Sequence, residues 1–364
     1  MELLDTTLRE GEQTPGVHFT HEAKLEIAHA IDAFGAELIE VGHPAVSAAI
    51  RRDVRALCAA GLDAHTVVHA RALRGDVDAA IAAGADWVGI FYSVRDEALT
   101  QRFGRSLDAV AAQVADAVQH AKDHGLKVRY TPEDTVRSPW PNVRQVAQAA
   151  VAAGADRISI ADTTGCMTPS RMQEAVVRMR AAVEVPIHVH CHNDLGMATA
   201  NSLAAMEAGA AVVDVTVNGL GERAGIADTA SVATALRTAY GLDSGHRLER
   251  LPGLAALVAR HSGVPVPRQA PIVGANAFCH NAGLHVDAVF HDPHHYESVP
   301  AELVGRRRSV CVDRFAGLAT LRFKMRELGI PASDDDLRGL LRRIKDDDMD
   351  HVPDDWLRAQ ILAA

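Results

Sequence analysis

The sequence has no apolar run long enough to cross a membrane, although 48% of its 364 residues are hydrophobic. Blocks of basic residues are also missing, and the formal net charge is −10. This charge argues against nucleic acid and anionic membrane surfaces as partners. The first residues, MELLDTTLRE, include acidic side chains and lack the apolar segment of a signal peptide. These absences predict a cytoplasmic globular protein with a sizeable core.

Cysteine is scarce and dispersed. The five cysteines are odd in number and form no CxxC pair, which argues against a disulfide framework and against a structural zinc site. We therefore expect reduced thiols. The sequence also lacks a GxGxxG motif after its first predicted strand, and this disfavours a doubly wound, dinucleotide-binding sheet.

What the sequence does contain is a repeated unit. In each repeat an Ala-rich helical stretch ends in a glycine, and an apolar run of strand length follows; the glycines are Gly35, Gly61, Gly84, Gly125, Gly154 and Gly209. Glycine readily takes the left-handed conformation that ends a helix, and runs that are apolar on both faces are typical of buried parallel strands. Eight strands are predicted, at residues 2–7, 37–42, 64–69, 86–92, 127–131, 157–162, 186–192 and 211–217. Eight such units predict a TIM (β/α)8 barrel over residues 1–250.

The repeat stops near residue 245. A helical stretch and a Pro-rich, extended segment follow, and short helical patterns continue to the last residue. Residues 251–364 are therefore predicted to form a linker and a helical subdomain.

Polar residues that packing does not explain fall at the predicted strand ends. Strand 1 leads into DTTLREGEQ, strand 7 ends in HVHCHND, and strand 8 leads into NGLGERAG. In TIM barrels the active site lies at the carboxyl ends of the strands. We therefore expect these segments to surround one site.

A metal site is the first prediction there. His188, His190 and His192 alternate along strand 7, so they point to the same side of the strand, into the barrel. His190 and His192 with a carboxylate from strand 1 would bind a divalent cation and leave positions open for substrate. Glu10 is the better placed carboxylate, with Asp5 deeper in the barrel, and zinc, manganese, magnesium or cobalt would suit such a site. The alternative is that one or two of these histidines only pack in the core.

Other strand-end residues could bind an anionic substrate. Arg9 could place a fixed positive charge beside a developing oxyanion, although it could equally close the barrel floor as a salt bridge. An arginine and a hydroxyl two residues apart on one strand, Arg129 and Thr131, could hold a carboxylate. Further polar candidates at strand ends are His69, Glu133, Asp162 and Thr163.

Three motifs, DTTLREGEQ, HCHNDLGMATANSLAAMEAGA and NGLGERAGI, resemble those of the homocitrate synthase and 2-isopropylmalate synthase family of metal-dependent barrel enzymes. The similarity extends over nearly the whole chain. Glutamate follows Arg9, where isopropylmalate and citramalate synthases usually carry aspartate, and VRYTPEDT is also similar to the homocitrate synthase branch. The resemblance implies condensation of acetyl-CoA with a 2-oxo acid, followed by release of CoA.

The resemblance also implies residue roles. Glu10, His190 and His192 would bind the cation, Arg9 would polarise the ketone and Thr163 would hold the C1 carboxylate. A distal acidic group would meet a second set of side chains, namely His69, Arg129 and Thr131.

The segment AFCHNAGLH resembles the family's lid. Its His285, with Tyr296 and Glu133, would form the relay that deprotonates the methyl group of acetyl-CoA. In the family the lid reaches into the barrel of a partner subunit, so the resemblance implies a homodimer.

Departures from the family pattern leave the 2-oxo acid open. Thr131 stands in place of serine, Ala224 changes GERNG to GERAG, and Gly89 replaces an aspartate that lysine-pathway homocitrate synthases use for feedback by lysine. We expect no lysine regulation, and no leucine-type regulatory domain. The first substrate is 2-oxoglutarate; the alternatives are phosphonopyruvate, giving 2-phosphonomethylmalate, and substrates of the citrate or citramalate type. A hydroxyacyl-CoA lyase would carry a cysteine in the loop after strand 8, and a non-catalytic paralogue would have lost the ligand residues.

Overall fold

The computed structural model describes residues 1–362 and shows two compact units. The first comprises Met1–Arg247 and Gly253–Pro265, and the second comprises Leu248–Pro252 and the chain from Val266 onward. Residues 248–265 are thus divided between the units, whereas the sequence pattern predicts a single boundary at residue 250.

The first unit is a closed barrel of eight parallel strands in sequence order, which confirms the predicted fold. Its strands are β1 Glu2–Asp5, β2 Leu38–Gly42, β3 His65–Arg71, β4 Trp87–Ser93, β5 Lys127–Glu133, β6 Arg157–Asp162, β7 Ile187–Cys191 and β8 Val212–Val215. The barrel closes where β8 pairs with β1, with Leu3 opposite Val213. Strand β1 ends two residues before the prediction because the Thr6 carbonyl accepts hydrogen bonds from the amides of Arg9 and Glu10, and the chain turns there.

A helix follows each strand of the barrel. These are α1 His21–Phe34, α2 Ala48–Cys58, α3 Arg74–Ala83, α4 Leu107–Asp123, α5 Trp140–Ala152, α6 Pro169–Arg180, α7 Ala198–Glu207 and α8 Thr229–Thr238. Four of them begin at a hydroxyl residue whose side chain accepts a hydrogen bond from a backbone amide of the first turn: Thr20, Ser47, Ser106 and Thr168. The six predicted helix-ending glycines all have φ between 69° and 102°. The sequence pattern therefore marks both ends of the helices.

After the barrel, helix α9 Leu251–Ser262 spans one of the divisions between the units. The second unit then contains short strands β9 Cys279–His280 and β10 Ser309–Val310, and helices α10 Gly283–His291, α11 Leu318–Leu328, α12 Asp334–Asp346 and α13 Asp354–Leu362. Helices α11–α13 bury a shared apolar cluster that includes Leu321, Met325, Leu337, Ile344 and Leu357. Within residues 1–362, no helix is long and apolar enough to cross a membrane.

Candidate active site

The carboxyl ends of the barrel strands surround a cavity of about 290 Å³. The nine barrel residues to which the resemblance assigns a role line it: Arg9, Glu10, His69, Arg129, Thr131, Glu133, Thr163, His190 and His192. Asp162, the other strand-end candidate, does not line it, because its buried carboxylate accepts hydrogen bonds from the amides of Cys166 and Met167. Successive side chains on a strand alternate between the interior and the helices, so Arg129, Thr131 and Glu133 of β5 all reach this cavity. The structure therefore brings these residues together, while their roles stay predictions.

Glu10, His190 and His192 form a group whose potential ligand atoms all lie within 4.8 Å of one another. The Nε2 atoms of the two histidines are 3.2 Å apart. Two nitrogens bound to one cation at about 2.1 Å would be separated by roughly 3 Å, so this arrangement fits a shared ion. All three side chains are buried, and the donor set of two imidazoles and one carboxylate suits a divalent transition metal.

Asp214 orients the first histidine of this group. Its Oδ2 lies 2.8 Å from His190 Nδ1, and its Oδ1 lies 2.5 Å from His188 Nε2. Burial by itself raises the pKa of Asp214, but His188 and Arg129 outweigh burial and hold the pKa far below its usual value. The charged carboxylate thus directs Nε2 of His190 towards the cavity, as carboxylate–histidine–metal sites require. His188, which shares this aspartate, is fully buried and lies outside the group of potential ligands.

The other two potential ligands are held in the protonation states that a metal needs. Burial, with the charge on His190, lowers the pKa of His192 to about 4, so its imidazole is neutral at neutral pH. For Glu10, burial raises the pKa, but the positive charges of Arg9 and His190 outweigh it and the net shift is downward. Glu10 Oε1 also accepts a hydrogen bond of 2.9 Å from the Glu222 amide.

Asp5, the alternative carboxylate, lies outside this group. Its carboxylate accepts hydrogen bonds from the Thr7 amide at 2.9 Å and the Thr229 hydroxyl at 3.3 Å, on the side of the strand that faces α8. Burial raises the pKa of Asp5 to about 6. The expectation that Asp5 points into the barrel is therefore wrong, because β1 places Thr6, and not Asp5, on the inner face.

Glu40 on β2 is a buried charge, in contact with two arginines that line the cavity, and sequence reasoning missed it. Its side chain is fully buried, and its Oε2 accepts hydrogen bonds of 2.6 Å from both Thr6 Oγ1 and Arg9 Nε. Its Oε1 accepts a bond of 2.8 Å from Arg129 Nη2 and lies 3.4 Å from His69 Nδ1. Burial raises the pKa of Glu40, yet Arg9 and Arg129 outweigh it and keep the carboxylate charged. The signal in the sequence was one charged residue inside the apolar run LIEVG.

Arg129 lines the cavity and lies directly against β4. Gly89 is its register partner, and a Cβ atom at Gly89 would be 2.6 Å from Arg129 Nη2. Arg129 Nη1 is 3.5 Å from Asp214 Oδ1, and its Nε has no hydrogen-bond partner among the described residues. The guanidinium can occupy this position only because residue 89 has no side chain.

Three more predicted residues have features that bear on catalysis. Burial raises the pKa of Glu133, which favours the protonated form of its carboxyl group. The Thr163 hydroxyl accepts a 3.0 Å hydrogen bond from the Asp134 amide, which leaves its own proton available to donate. Burial, with the charge on Arg9, lowers the pKa of His69 to about 4, so His69 is a neutral group.

The glycine-rich loop after β8 packs against the potential metal ligands. A Cβ atom at Gly225 would lie 1.8 Å from the Gly219 carbonyl oxygen, so a close backbone approach requires glycine there. The Gly225 carbonyl accepts a 2.9 Å hydrogen bond from the Asn193 amide, next to His192. The alanine at position 224 leaves this glycine in place.

His285 and Tyr296 belong to the second unit. Their ring centroids are 4.3 Å apart, and Tyr296 is 49% exposed. Glu133 belongs to the barrel unit, so the three-residue relay stays a prediction.

Residues 1–258 match the protein family described as HMGL-like, and residues 272–351 match the one described as homocitrate synthase post-HMGL domain-like. The homocitrate synthase of Pyrococcus horikoshii is 47% identical over 343 residues, which cover 94% of each chain. The homocitrate synthase AksA of Methanopyrus kandleri is 44% identical over 341 residues, which cover 94% of this chain and 86% of that one.

Among solved structures, the HMG-CoA lyase from Brucella melitensis has a TM-score of 0.63 and 22% sequence identity, and the match covers 72% of this chain and 98% of that chain. This likeness shows the barrel fold alone, whereas the family matches and the identities above 40% extend over both units. The chain therefore belongs to the HMGL-like family, together with the homocitrate synthases.

Proposed function

We propose that this protein condenses the acetyl group of acetyl-CoA with a dicarboxylic 2-oxo acid, 2-oxoglutarate first, and forms homocitrate. The methyl group of acetyl-CoA loses a proton, and its carbon forms a bond to the keto carbon of the 2-oxo acid. The keto oxygen takes a proton and becomes a hydroxyl group. Water then cleaves the thioester, which releases CoA and leaves a new carboxylate.

One observation carries the proposal: the cavity has a three-residue cation-binding group at one wall and the buried arginine Arg129 at another. The 47% identity to a homocitrate synthase over 94% of the chain supports the same reaction. A divalent cation held by Glu10, His190 and His192 would supply a Lewis acid for the keto oxygen and C1 carboxylate of the substrate. Zinc, manganese, magnesium and cobalt all suit this donor set.

Arg9 and Thr163 act at the keto end of the substrate. The Arg9 guanidinium bonds to Glu40 and Glu10, which fixes it beside the cation-binding group. A positive charge fixed in this way stabilises the oxyanion that develops when the ketone is attacked, without reorganising during the reaction. The Thr163 hydroxyl donates a hydrogen bond to the C1 carboxylate.

The distal carboxylate of the substrate meets Arg129, Thr131 and His69. Arg129 is the charged member of this set, because His69 has its pKa lowered to about 4. His69 therefore acts as a neutral hydrogen-bond donor and contributes no positive charge. The Arg129 side chain lines the cavity, so its guanidinium can bind a carboxylate there.

His285 and Tyr296 deprotonate the methyl group of acetyl-CoA, and Glu133 takes part in the same proton transfer. The raised pKa of Glu133 suits a group that takes up and returns a proton during turnover. This relay requires the second unit to act as a lid, and we propose that it closes over the barrel of a partner subunit in a homodimer located in the cytoplasm. The mass of the protein in solution tests the dimer.

The first test measures free CoA released from acetyl-CoA by the purified protein with added divalent metal. The 2-oxo acids are 2-oxoglutarate, oxaloacetate, phosphonopyruvate, pyruvate and 2-oxoisovalerate. We expect a strong preference for 2-oxoglutarate. A matched variant, His285→Ala, should bind 2-oxoglutarate normally but release little CoA, because the lost imidazole acts only on acetyl-CoA.

Other outcomes point to other activities. Preference for phosphonopyruvate or oxaloacetate would keep the reaction and change the substrate. Preference for pyruvate or 2-oxoisovalerate would contradict the role of Arg129. No CoA release with metal bound would contradict the proposal and favour a lyase or a non-catalytic protein.

Gly89 provides a prediction about the distal carboxylate. In Gly89→Ala the new methyl group displaces Arg129, whose Nη2 would otherwise be 2.6 Å from it, and breaks the 2.8 Å bond to Glu40. Loss of one charge-assisted hydrogen bond costs about 1.5–3 kcal/mol, so the KM for 2-oxoglutarate should rise about 10–100-fold, with a smaller change in kcat. Gly75→Ala is the control, since a Cβ atom there meets no atom within 4 Å. An unchanged KM in Gly89→Ala would show that Arg129 does not bind substrate.

A further inference from the structure

Two cysteines of the second unit lie side by side. Cys279 starts β9 and Cys311 follows β10, and the Cys311 amide donates a 2.9 Å hydrogen bond to the His280 carbonyl. Their Sγ atoms are 2.7 Å apart, and a disulfide bond is about 2.0 Å long. Both residues are half-buried and both are free thiols, so they are partly open to small reagents.

We propose that Cys279 and Cys311 form a site of reversible oxidation, at which a low-molecular-weight disulfide converts the two thiols to one intramolecular disulfide. The pairing of β9 with β10 already holds the two sulfurs close to bonding distance. The remaining three cysteines all belong to the barrel unit. Cys191 is fully buried on β7, whereas Cys58 on α2 and Cys166 after β6 are half-buried.

The reaction with a small disulfide proceeds in two exchange steps. The thiolate of one cysteine attacks a sulfur of the reagent, which forms a mixed disulfide and releases one small thiolate. The second cysteine then attacks the protein sulfur of the mixed disulfide, which forms the Cys279–Cys311 bond and releases the second small thiolate. Two protein thiols are oxidised and one reagent disulfide is reduced to two thiols.

The two cysteines have different roles in these steps. Burial and the neighbouring Cys279 sulfur raise the pKa of Cys311 to about 11. The raised pKa disfavours the Cys311 thiolate, which suits Cys311 to the second step and not to the first attack. Formation of the second bond depends on the short distance between the sulfurs.

Oxidation would close a loop around one functional segment. The residues between Cys279 and Cys311 include α10 and both His285 and Tyr296, the lid residues of the proposed relay. A covalent link at the two ends of this segment reduces the number of conformations open to it in the unfolded chain. We expect the oxidised protein to unfold at a higher temperature and to resist proteolysis in this segment.

The test uses the full chain treated with oxidised glutathione at neutral pH. Remaining thiols are alkylated after denaturation and counted by intact mass, and peptide mapping locates the bond. Of the five cysteines, three should be alkylated, with no glutathione retained. Reductant should restore five thiols, and the Tm should rise by several degrees only in the oxidised form.

Two variants make the result decisive. Cys279→Ser should show no rise in Tm on oxidation, whereas Cys166→Ser, which removes a thiol of the barrel unit, should behave like the parent protein. Five alkylated thiols, stable glutathione on both cysteines, or an unchanged Tm would overturn the inference. None of these readouts depends on CoA release, so they are independent of the proposed function.

Discussion

Glu10→Gln is expected to lower the affinity for a divalent cation by at least about 100-fold, and with it nearly all condensing activity. Even the removal of a residue that only orients a ligand costs about 10–100-fold in metal affinity or activity, and Glu10 would be a ligand itself. Glutamine has the same shape but lacks the negative charge that complements a divalent cation. The ligand group would then consist of His190 and His192 alone.

The measurement is titration of the metal-free protein with Mn²⁺ by calorimetry, which requires no substrate. Asp5→Asn is the matched control, because this substitution also neutralises a strand 1 carboxylate but one that lies outside the cation-binding group. Its Mn²⁺ affinity should equal that of the parent protein. Normal affinity in Glu10→Gln with reduced affinity in Asp5→Asn would reverse the two assignments.

The barrel was predictable because two signals of different origin coincide along the sequence. Six glycines mark helix ends through their backbone conformation, and apolar runs mark strands through burial on both faces. Each signal is local, so neither depends on knowing which strands are neighbours. Turns are less local. Strand β1 ends before Thr6 because three backbone amides donate hydrogen bonds to the Thr6 carbonyl, and no residue type in the sequence predicts this.

The sequence predicted which strand-end residues would line the cavity, but it did not predict which acidic residues would pair with them. Arg129 and Glu40 are separated by 89 residues, and their contact depends on how β2 and β5 face each other across the barrel. Asp214 similarly meets His190 only because β7 and β8 are neighbours. Both acidic residues interrupt apolar runs, which was the available signal. Charged residues in such runs are seldom buried without a partner, so each one predicts a partner inside the barrel.

Knowledge of these pairs changes the chemistry assigned to the arginines. From the sequence, Arg9 and Arg129 were two cations available to an anionic substrate. In the structure each one bonds to Glu40, so the wall of the cavity is a network of opposite charges. Such a network positions its arginines more than it attracts anions. Glu40 is its centre, so loss of the Glu40 charge should reduce stability and activity more than loss of any one contact.

Glu40→Gln is therefore expected to lower the free energy of unfolding by about 3–5 kcal/mol, because it removes the counter-charge shared by the buried Arg129 and the half-buried Arg9. Glutamine fills the same space, so the loss reports charge and not packing. Because Arg9 and Arg129 both lose a charged acceptor, kcat/KM should also fall about 10–100-fold or more. Urea unfolding and steady-state kinetics measure the two effects.

Glu26→Gln is the control, since Glu26 pairs with Arg260 and His261 on the exposed surface and should contribute no more than about 1 kcal/mol.

The pH dependence of stability gives a further check on the role of the Glu40 charge. The pKa of Glu40 is depressed in the folded protein, so its stabilising effect is complete above its ordinary value of 4.5 and is lost as the pH falls towards the folded value. The stability difference between the parent protein and Glu40→Gln should thus be constant near neutral pH and narrow in acid. A difference as small as that of Glu26→Gln would show that Glu40 is not the centre of the network, and that Arg9 and Arg129 are held in place by other contacts.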